Sequence, residues 1–161
     1  MIPGLFHLLL LIIIANGMPI LIRVVLKDRF NTAVDFGQKL PDGRDILGSS
    51  KTWRGILSAV TITPVAAWLL GYSLETGFWI AVYAVLGDLF SSFLKRRLAM
   101  EPSSMAFILD QVPESLLPGL MMMSVFGLDL QAVSVMVLIF IIIELLLSHI
   151  LYKWGIRKRP Y

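Results

Sequence analysis

The chain has 161 residues, 57% of them hydrophobic, and a formal net charge of +3. With a mean hydropathy of +0.81, this composition excludes a soluble domain of this size and indicates one compact integral-membrane domain covering residues 1–161. Cysteine is absent from the sequence, which excludes disulfides and thiolate metal sites.

Five apolar segments can cross a bilayer, which requires about 20 residues per helix. In chain order they are Ile2–Leu26, Gly55–Tyr72, Gly77–Leu94, Val112–Gly127 and Leu130–Trp154. The sequence therefore predicts an all-α polytopic membrane protein with five transmembrane helices and two polar cytoplasmic loops. Within the first segment, Asn16 to Pro19 predicts a bend or a kink. The fourth is short and proline-containing, which predicts a tilted, kinked or broken helix.

The distribution of cations predicts the orientation. All the Lys and Arg residues lie on or next to one side of the five predicted spans, whereas the opposite loops contribute only Glu75 and Asp129. The cations are Arg23, Lys27, Arg29, Lys39, Arg44, Lys51, Arg54, Lys95, Arg96, Arg97, Lys153, Arg157, Lys158 and Arg159. By the positive-inside rule, the N-terminus lies outside and the C-terminus in the cytoplasm of a cell-membrane protein. Such a basic inner face favours anionic headgroups and nucleotide phosphates.

The first inner loop, Lys27 to Arg54, is polar and glycine-rich. Ser49 or Ser50 is the predicted N-cap of the second span. Free backbone N–H groups there, with Lys51 and Arg54, predict an anion site. The alternative is that these cations only anchor the helix at the headgroups.

The third segment combines a carboxylate, hydroxyls and an ammonium. Asp88, Ser91, Ser92 and Lys95 follow helical spacing and therefore share one face. An aspartate inside a membrane helix is costly, which favours a functional role, and this set of groups suits a triphosphate. Alternatively, Lys95-Arg96-Arg97 is a stop-transfer cluster.

A second carboxylate, Asp110, ends the other inner loop just before the fourth span. Together with Asp88 it predicts a site for one or two hard cations, with phosphate oxygens completing the coordination. Alternatively, Asp110 is a helix cap, because it precedes Pro113 by three residues. Glu144, in the last span, is expected to face the bundle.

These residues resemble a known family. Gly87-Asp88, Ser92, Lys95-Arg96 and Asp110 resemble the defining stretch of membrane CTP:phosphatidate cytidylyltransferases, and Ser50–Gly55 is similar to their Lys-Thr-Trp-x-Gly segment. The small archaeal-lipid branch, CDP-archaeol synthase, is the closer match. That branch shares Lys-Thr-Trp-Arg-Gly, Lys-Arg-Arg, Asp110-Gln111, the Asn16 to Pro19 spacing and a late histidine, here His149. The Lys-Asp pair and Pro-Gly-His-Gly-Gly run of the phosphatidate enzymes are absent.

The resemblance implies transfer of CMP from CTP to a lipid phosphate, giving a CDP-lipid and pyrophosphate. It implies Mg²⁺ at Asp88 and Asp110, with a second cation as an open alternative, and phosphate neutralisation by Lys51, Arg54, Lys95 and Arg96. The implied substrate-binding residues are Asn16, Ser50, Thr52, Ser91, Ser92, Arg97 and Gln111.

Other functions stay open at this stage. A small membrane transporter or adaptor would also contain intramembrane carboxylates. The lipid could carry ether-linked isoprenoid or ester-linked acyl chains, the latter as in a phosphatidate cytidylyltransferase. Membrane lipids are expected partners and nucleic acid is not, while a homodimer is an open alternative because the sequence does not determine the oligomeric state.

Overall fold

A computed structural model of the protein describes residues 2–100, 106 and 108–156. Its helices are α1 (Ile2–Leu26), α2 (Trp53–Leu69), α3 (Leu74–Arg97), α4 (Gln111–Met122) and α5 (Leu130–Lys153). In these described ranges β pairing is limited to two isolated bridges, Ala33 with Thr52 and Lys39 with Asp45. The all-α prediction is confirmed. The predicted inner-face cations Arg157, Lys158 and Arg159 lie outside the described residues.

Helix starts follow local capping chemistry. The hydroxyl of Ser73 accepts from the backbone N–H of Thr76 at the start of α3, and the carboxylate of Asp129 accepts from Ala132 at the start of α5. The predicted N-cap of the second span at Ser49 or Ser50 is wrong. Thr52 holds that position in an extended conformation, because its backbone bridges to Ala33 and the helix can begin only afterwards.

The fourth helix is shorter than the sequence predicts. It ends at Met122 rather than Gly127, and its 12 residues extend about 18 Å, too little to cross a hydrocarbon core of about 30 Å alone. Of the helices in the described ranges, α1 (over Pro3–Leu26), α3 and α5 are each long and apolar enough to span a membrane. Pro19 lies inside α1, which continues through it as one helix.

Small residues allow close packing around α3. Gly77 lies against the backbone of α2 at Pro64, and Gly87 lies against the backbone of α4 at Pro113 and Glu114. Such small-residue contacts are the main way helices associate in membranes, where burial of apolar surface supplies little driving force. The Gly87 contact places the start of α4 about 15 Å along α3 from Arg97.

Apolar and polar interiors occupy different ends of the bundle. The apolar core lies among the helices toward the end that contains the α2–α3 connection and includes Leu8, Leu11, Ile80, Met136 and Phe140. Buried polar side chains instead gather where the loop before α2 meets the second half of α3 and the start of α4. They include Arg54, Ser91, Ser92, Lys95, Arg96, Gln111, Glu114 and Ser115. The buried groups that could bind a charged ligand are therefore concentrated at this polar end.

Candidate active site

A buried aspartate organises the loop between α1 and α2. The carboxylate of Asp35 accepts backbone N–H bonds from Gly37 at 3.0 Å, Leu47 at 2.8 Å and Gly48 at 2.8 Å. Burial raises the pKa of Asp35, but these three donors outweigh it and leave the pKa below its ordinary value. Asp35 thus ties both halves of the loop together as an anion, just before the segment that carries Lys51.

Lys51 is fixed by backbone pairing and directed at Asp88. Its carbonyl accepts from Val34 N–H at 2.9 Å beside the Ala33–Thr52 bridge. Its ammonium lies 2.5 Å from Oδ1 and 2.6 Å from Oδ2 of Asp88 on α3. Burial lowers the pKa of Lys51, but the carboxylate of Asp88 outweighs this and the net pKa is raised. Lys51 is therefore a stable cation at the site.

A second lysine–aspartate pair lies beside the first. Lys95 Nζ is 2.8 Å from Asp110 Oδ1 and 3.1 Å from Oδ2. Ser91, Ser92 and Lys95 are all buried against the bundle, which confirms the predicted shared face of α3. Asp110 holds the N-cap position of α4, but its side chain makes no capping bond to the helix. Its carboxylate therefore pairs with Lys95 instead of capping the helix.

The two pairs belong to one electrostatic cluster. The carboxylates of Asp88, Glu114 and Asp110 all act on Lys51. Glu114 is 6% exposed and lies on α4 directly against Gly87, and its side chain is a near neighbour of Glu144 on α5. The sequence analysis did not identify Glu114. Its position one turn into the proline-containing fourth segment could have indicated it. A carboxylate inside a membrane helix is costly, and the same reason favoured a functional role for Asp88.

The predicted arginines contact the chain's own oxygens. Arg54 donates from Nη1 to the carbonyls of Lys27, at 2.6 Å, and Arg29, and from Nη2 to Asn31 Oδ1 at 2.8 Å. These bonds attach the start of α2 to the end of α1. Arg97 similarly bonds to the Asp42 carboxylate and, at 2.5 Å, to the Asp45 carbonyl. Arg96 is buried on α3 at 4% exposure.

The predicted hydrogen-bonding residues occupy several places. Ser50 is exposed in the turn before Lys51, and Ser91 donates to the Gly87 carbonyl at 2.8 Å. Gln111 is buried at the start of α4, where its Oε1 accepts from Ile108 N–H at 3.1 Å. Asn16 lies apart from both lysine pairs, on a groove between α1 and α5. Ser92 and Gln111 are therefore close to the charged cluster, while Asn16 is not.

The carboxylates suit Mg²⁺ as donors. Asp88 and Asp110 keep 32% and 26% of their side-chain surfaces exposed, so a ligand can reach both. Among the residues the structure describes, no group of three or more His, Cys, Asp or Glu side chains has metal-binding geometry. Mg²⁺ is commonly held by one or two carboxylates with phosphate oxygens and waters completing the shell, which is the donor set offered here.

The fold and site define a helical membrane protein in which two lysine–aspartate pairs lie at one end of the bundle. The chain belongs to the CarS-like CDP-archaeol synthase family, whose model matches residues 4–76 and 69–161. The predicted resemblance is confirmed by this match.

Individual relatives agree with the family assignment. A CDP-archaeol synthase from Pyrobaculum islandicum is 34% identical over 92% of each chain. Another, from Sulfolobus acidocaldarius, is 35% identical over 81% of this chain and 83% of the relative. A solved intramembrane enzyme of archaeal membrane lipid biosynthesis has a similar fold, with a TM-score of 0.73 and 29% identity, covering 88% of this chain and 90% of that one.

Proposed function

We propose that the protein transfers CMP from CTP to an archaeal-type ether lipid phosphate at the Lys51–Asp88 and Lys95–Asp110 cluster. The observation that supports this proposal is that two lysine–aspartate pairs, from the loop before α2, from α3 and from the start of α4, meet at one end of the bundle in a chain of this family. Two phosphate-bearing substrates repel each other. Cationic and metal-binding groups that alternate in one site allow them to approach.

In the proposed reaction, a phosphate oxygen of the lipid forms a bond to the α-phosphorus of CTP. The bond from that phosphorus to the oxygen bridging to the β-phosphate breaks, and pyrophosphate leaves with the electron pair. The nucleophile is an ionised phosphate, so no general base is obligatory. Positioning and charge neutralisation by the chain carry the catalysis.

Each lysine exchanges partners when substrate binds. In the ligand-free arrangement Lys51 and Lys95 neutralise Asp88 and Asp110. Phosphate oxygens of CTP compete for the ammonium groups, and the released carboxylates become available to a cation. Bound Mg²⁺ supplies charge neutralisation on the phosphates, and a second cation is compatible with the same two carboxylates.

The remaining residues support these pairs. Arg54 and Arg97 position the loop through their bonds to its backbone, and Arg96 adds positive charge behind Lys95. Ser92 lies one helical turn from both Asp88 and Lys95 on α3, and Gln111 directly follows Asp110. Ser50, Thr52 and Ser91 complete the set of predicted hydrogen-bonding groups. Backbone N–H groups at the start of α4 add a partial positive charge toward the phosphates.

Charge asymmetry supports a five-crossing topology in the cell membrane, with the N-terminus outside and the site at the cytoplasmic surface. In this arrangement α4 crosses only the outer half. It begins beside Gly87 and ends at Met122, which lines a shallow cavity with Ser73 and Glu75 at the start of α3. Such half-helices at membrane ligand sites are known in transporters.

The decisive experiment measures labelled CDP-lipid formed from CTP, Mg²⁺ and lipid phosphate by purified protein. Asp88→Asn and Asp110→Asn are each expected to lower the rate at least about 100-fold, while thermal unfolding in detergent shows a folded protein. Glu75→Gln, an exposed carboxylate at the opposite end of α3, is the matched control and should retain full activity. Full activity in either aspartate variant would remove the metal assignment.

The substrate class has its own test. Initial rates on an unsaturated archaeal ether lipid phosphate are expected to exceed those on phosphatidic acid of matched chain length. A reversed preference would assign the ester lipid instead. No labelled lipid from either substrate, together with solute flux in vesicles, would favour the transporter alternative.

A further inference from the structure

A groove runs between α1 and α5, away from the lysine pairs. Its walls are aliphatic and aromatic, from Ile13 and Ile20 on α1 and from Phe140 and Leu147 on α5, and it holds a cavity of about 60 Å³. A side chain added at Gly17, in its middle, would meet no atom within 4 Å. The helices are therefore separated here by a cavity that the chain does not fill.

The groove also has a polar floor. Asn16, Glu144 and Ser148 line it among the aliphatic residues. The Nδ2 group of Asn16 is buried and makes no hydrogen bond to any described residue. An unmet buried donor is costly, so a ligand with an acceptor oxygen at this position would be stabilised.

The floor leads toward the reaction centre through two glutamates. Glu144 is a near neighbour of Glu114, and Glu114 packs on Gly87, the residue before Asp88. A molecule in the groove therefore has one end beside Glu144, two side chains away from the carboxylate that Lys51 binds. None of the described residues lining the groove is Lys or Arg. Because two glutamates lie at this end and no cation does, a phosphate group is disfavoured in the groove and favoured beyond it, at the lysines.

We infer that this groove between α1 and α5 holds one hydrocarbon chain of the lipid phosphate, with Asn16 donating to the oxygen that joins the chain to glycerol. The inference rests on the proposed function. It follows from the aliphatic walls, the unmet amide donor of Asn16 and the path through Glu144 and Glu114 toward Asp88. The lipid reaches the site sideways from the bilayer, and its phosphate extends past Glu144 and Glu114 to the lysines.

Filling the groove tests this assignment. Gly17→Trp is expected to raise KM for lipid phosphate at least tenfold while the dissociation constant of CTP, measured by equilibrium dialysis with Mg²⁺, is unchanged. Leu21→Trp is the matched control, because Leu21 is 48% exposed on the same helix and does not line the groove. Asn16→Leu should raise KM without altering CTP binding. If Gly17→Trp and Leu21→Trp have equal KM values, the assignment fails.

Thiol labelling supplies a readout independent of turnover and of the bulky variant's folding. The natural sequence has no cysteine, so Gly17→Cys and Leu21→Cys each give a single reactive site. Lipid phosphate is expected to slow maleimide labelling of Gly17→Cys at least threefold relative to detergent alone. The labelling rate of Leu21→Cys should be unchanged by the same lipid. Equal labelling rates of Gly17→Cys with and without lipid phosphate would overturn the inference. A wild-type protein that makes no CDP-lipid would instead refute the proposed function.

Discussion

Gly87 is the position where helix packing and the proposed chemistry are most directly coupled. A Cβ atom placed there would lie 2.2 Å from the Pro113 carbonyl oxygen and 2.7 Å from the Glu114 Cα. Favourable carbon contacts begin at about 3.5 Å, so Gly87→Ala requires a separation of more than about 1 Å between α3 and α4. The obstructing atoms belong to backbone, and a rotamer change cannot relieve the overlap.

The displacement acts on the site because each helix positions one carboxylate of the two lysine–aspartate pairs. Asp88 follows Gly87 directly, and Asp110 lies at the start of α4, three residues before Pro113. A misplacement of about 1 Å can lower catalysis about 100-fold, and Mg²⁺ tolerates little departure from its octahedral distances. We expect Gly87→Ala to lower kcat for CDP-lipid formation about 100-fold and to lower stability by about 1–3 kcal/mol, the usual cost of overpacking.

Gly77→Ala is the matched control. It lies on the same helix and produces a similar overlap, 2.5 Å from the Pro64 Cα of α2, but it is about 16 Å along α3 from Asp88. Both variants should unfold at similarly reduced temperatures in detergent, and only Gly87→Ala should lose most of its activity. Equal losses of kcat would show that general destabilisation explains the effect, and full activity of Gly87→Ala would refute the coupling.

Two further predictions concern the loop before α2. The pKa of Asp35 is depressed on folding, so its contribution to stability is present above the ordinary carboxyl range and is lost as pH falls from about 4 downward. Asp35→Asn should cost about 1.5–3 kcal/mol at neutral pH and weaken that acid dependence, measured by thermal unfolding across pH; an unaltered profile would contradict it. Arg54→Lys cannot bond simultaneously to the Lys27 carbonyl and the Asn31 amide. It should raise KM for CTP about tenfold with the lipid KM unchanged, and a normal CTP KM would contradict the positioning role.

The features that were predictable from sequence depend on neighbouring residues. Apolar length predicted the all-α membrane fold, and α1 matches its predicted bounds, Ile2–Leu26. Helical spacing predicted the shared face of Ser91, Ser92 and Lys95, which the structure confirms. These predictions succeed because helix formation and the side-chain order on a helix are set within a few turns. The metal and substrate roles of the site residues remain predictions.

Features that depend on distant segments were not predictable. The helix start at Trp53 depends on pairing between Thr52 and Ala33, some twenty residues earlier, and so the N-cap could not be read from Ser49 or Ser50. Asp35 looks like an ordinary loop aspartate until three N–H groups from two parts of the loop surround it. Such tertiary contacts are invisible to local periodicity.

The two lysine–aspartate pairs explain how a highly charged site can exist at a membrane surface before substrate arrives. Separating either partner would leave a charge in a poorly solvated setting, which costs several kcal/mol. A bare cation gains little at Asp88 or Asp110 while the lysines occupy them, and a bare nucleotide gains little at Lys51 or Lys95. Under the proposed function, triphosphate and Mg²⁺ together would replace both partners at once. Nucleotide and metal binding are therefore expected to be interdependent, a coupling that follows from the pairing itself and needs no large movement of the helices.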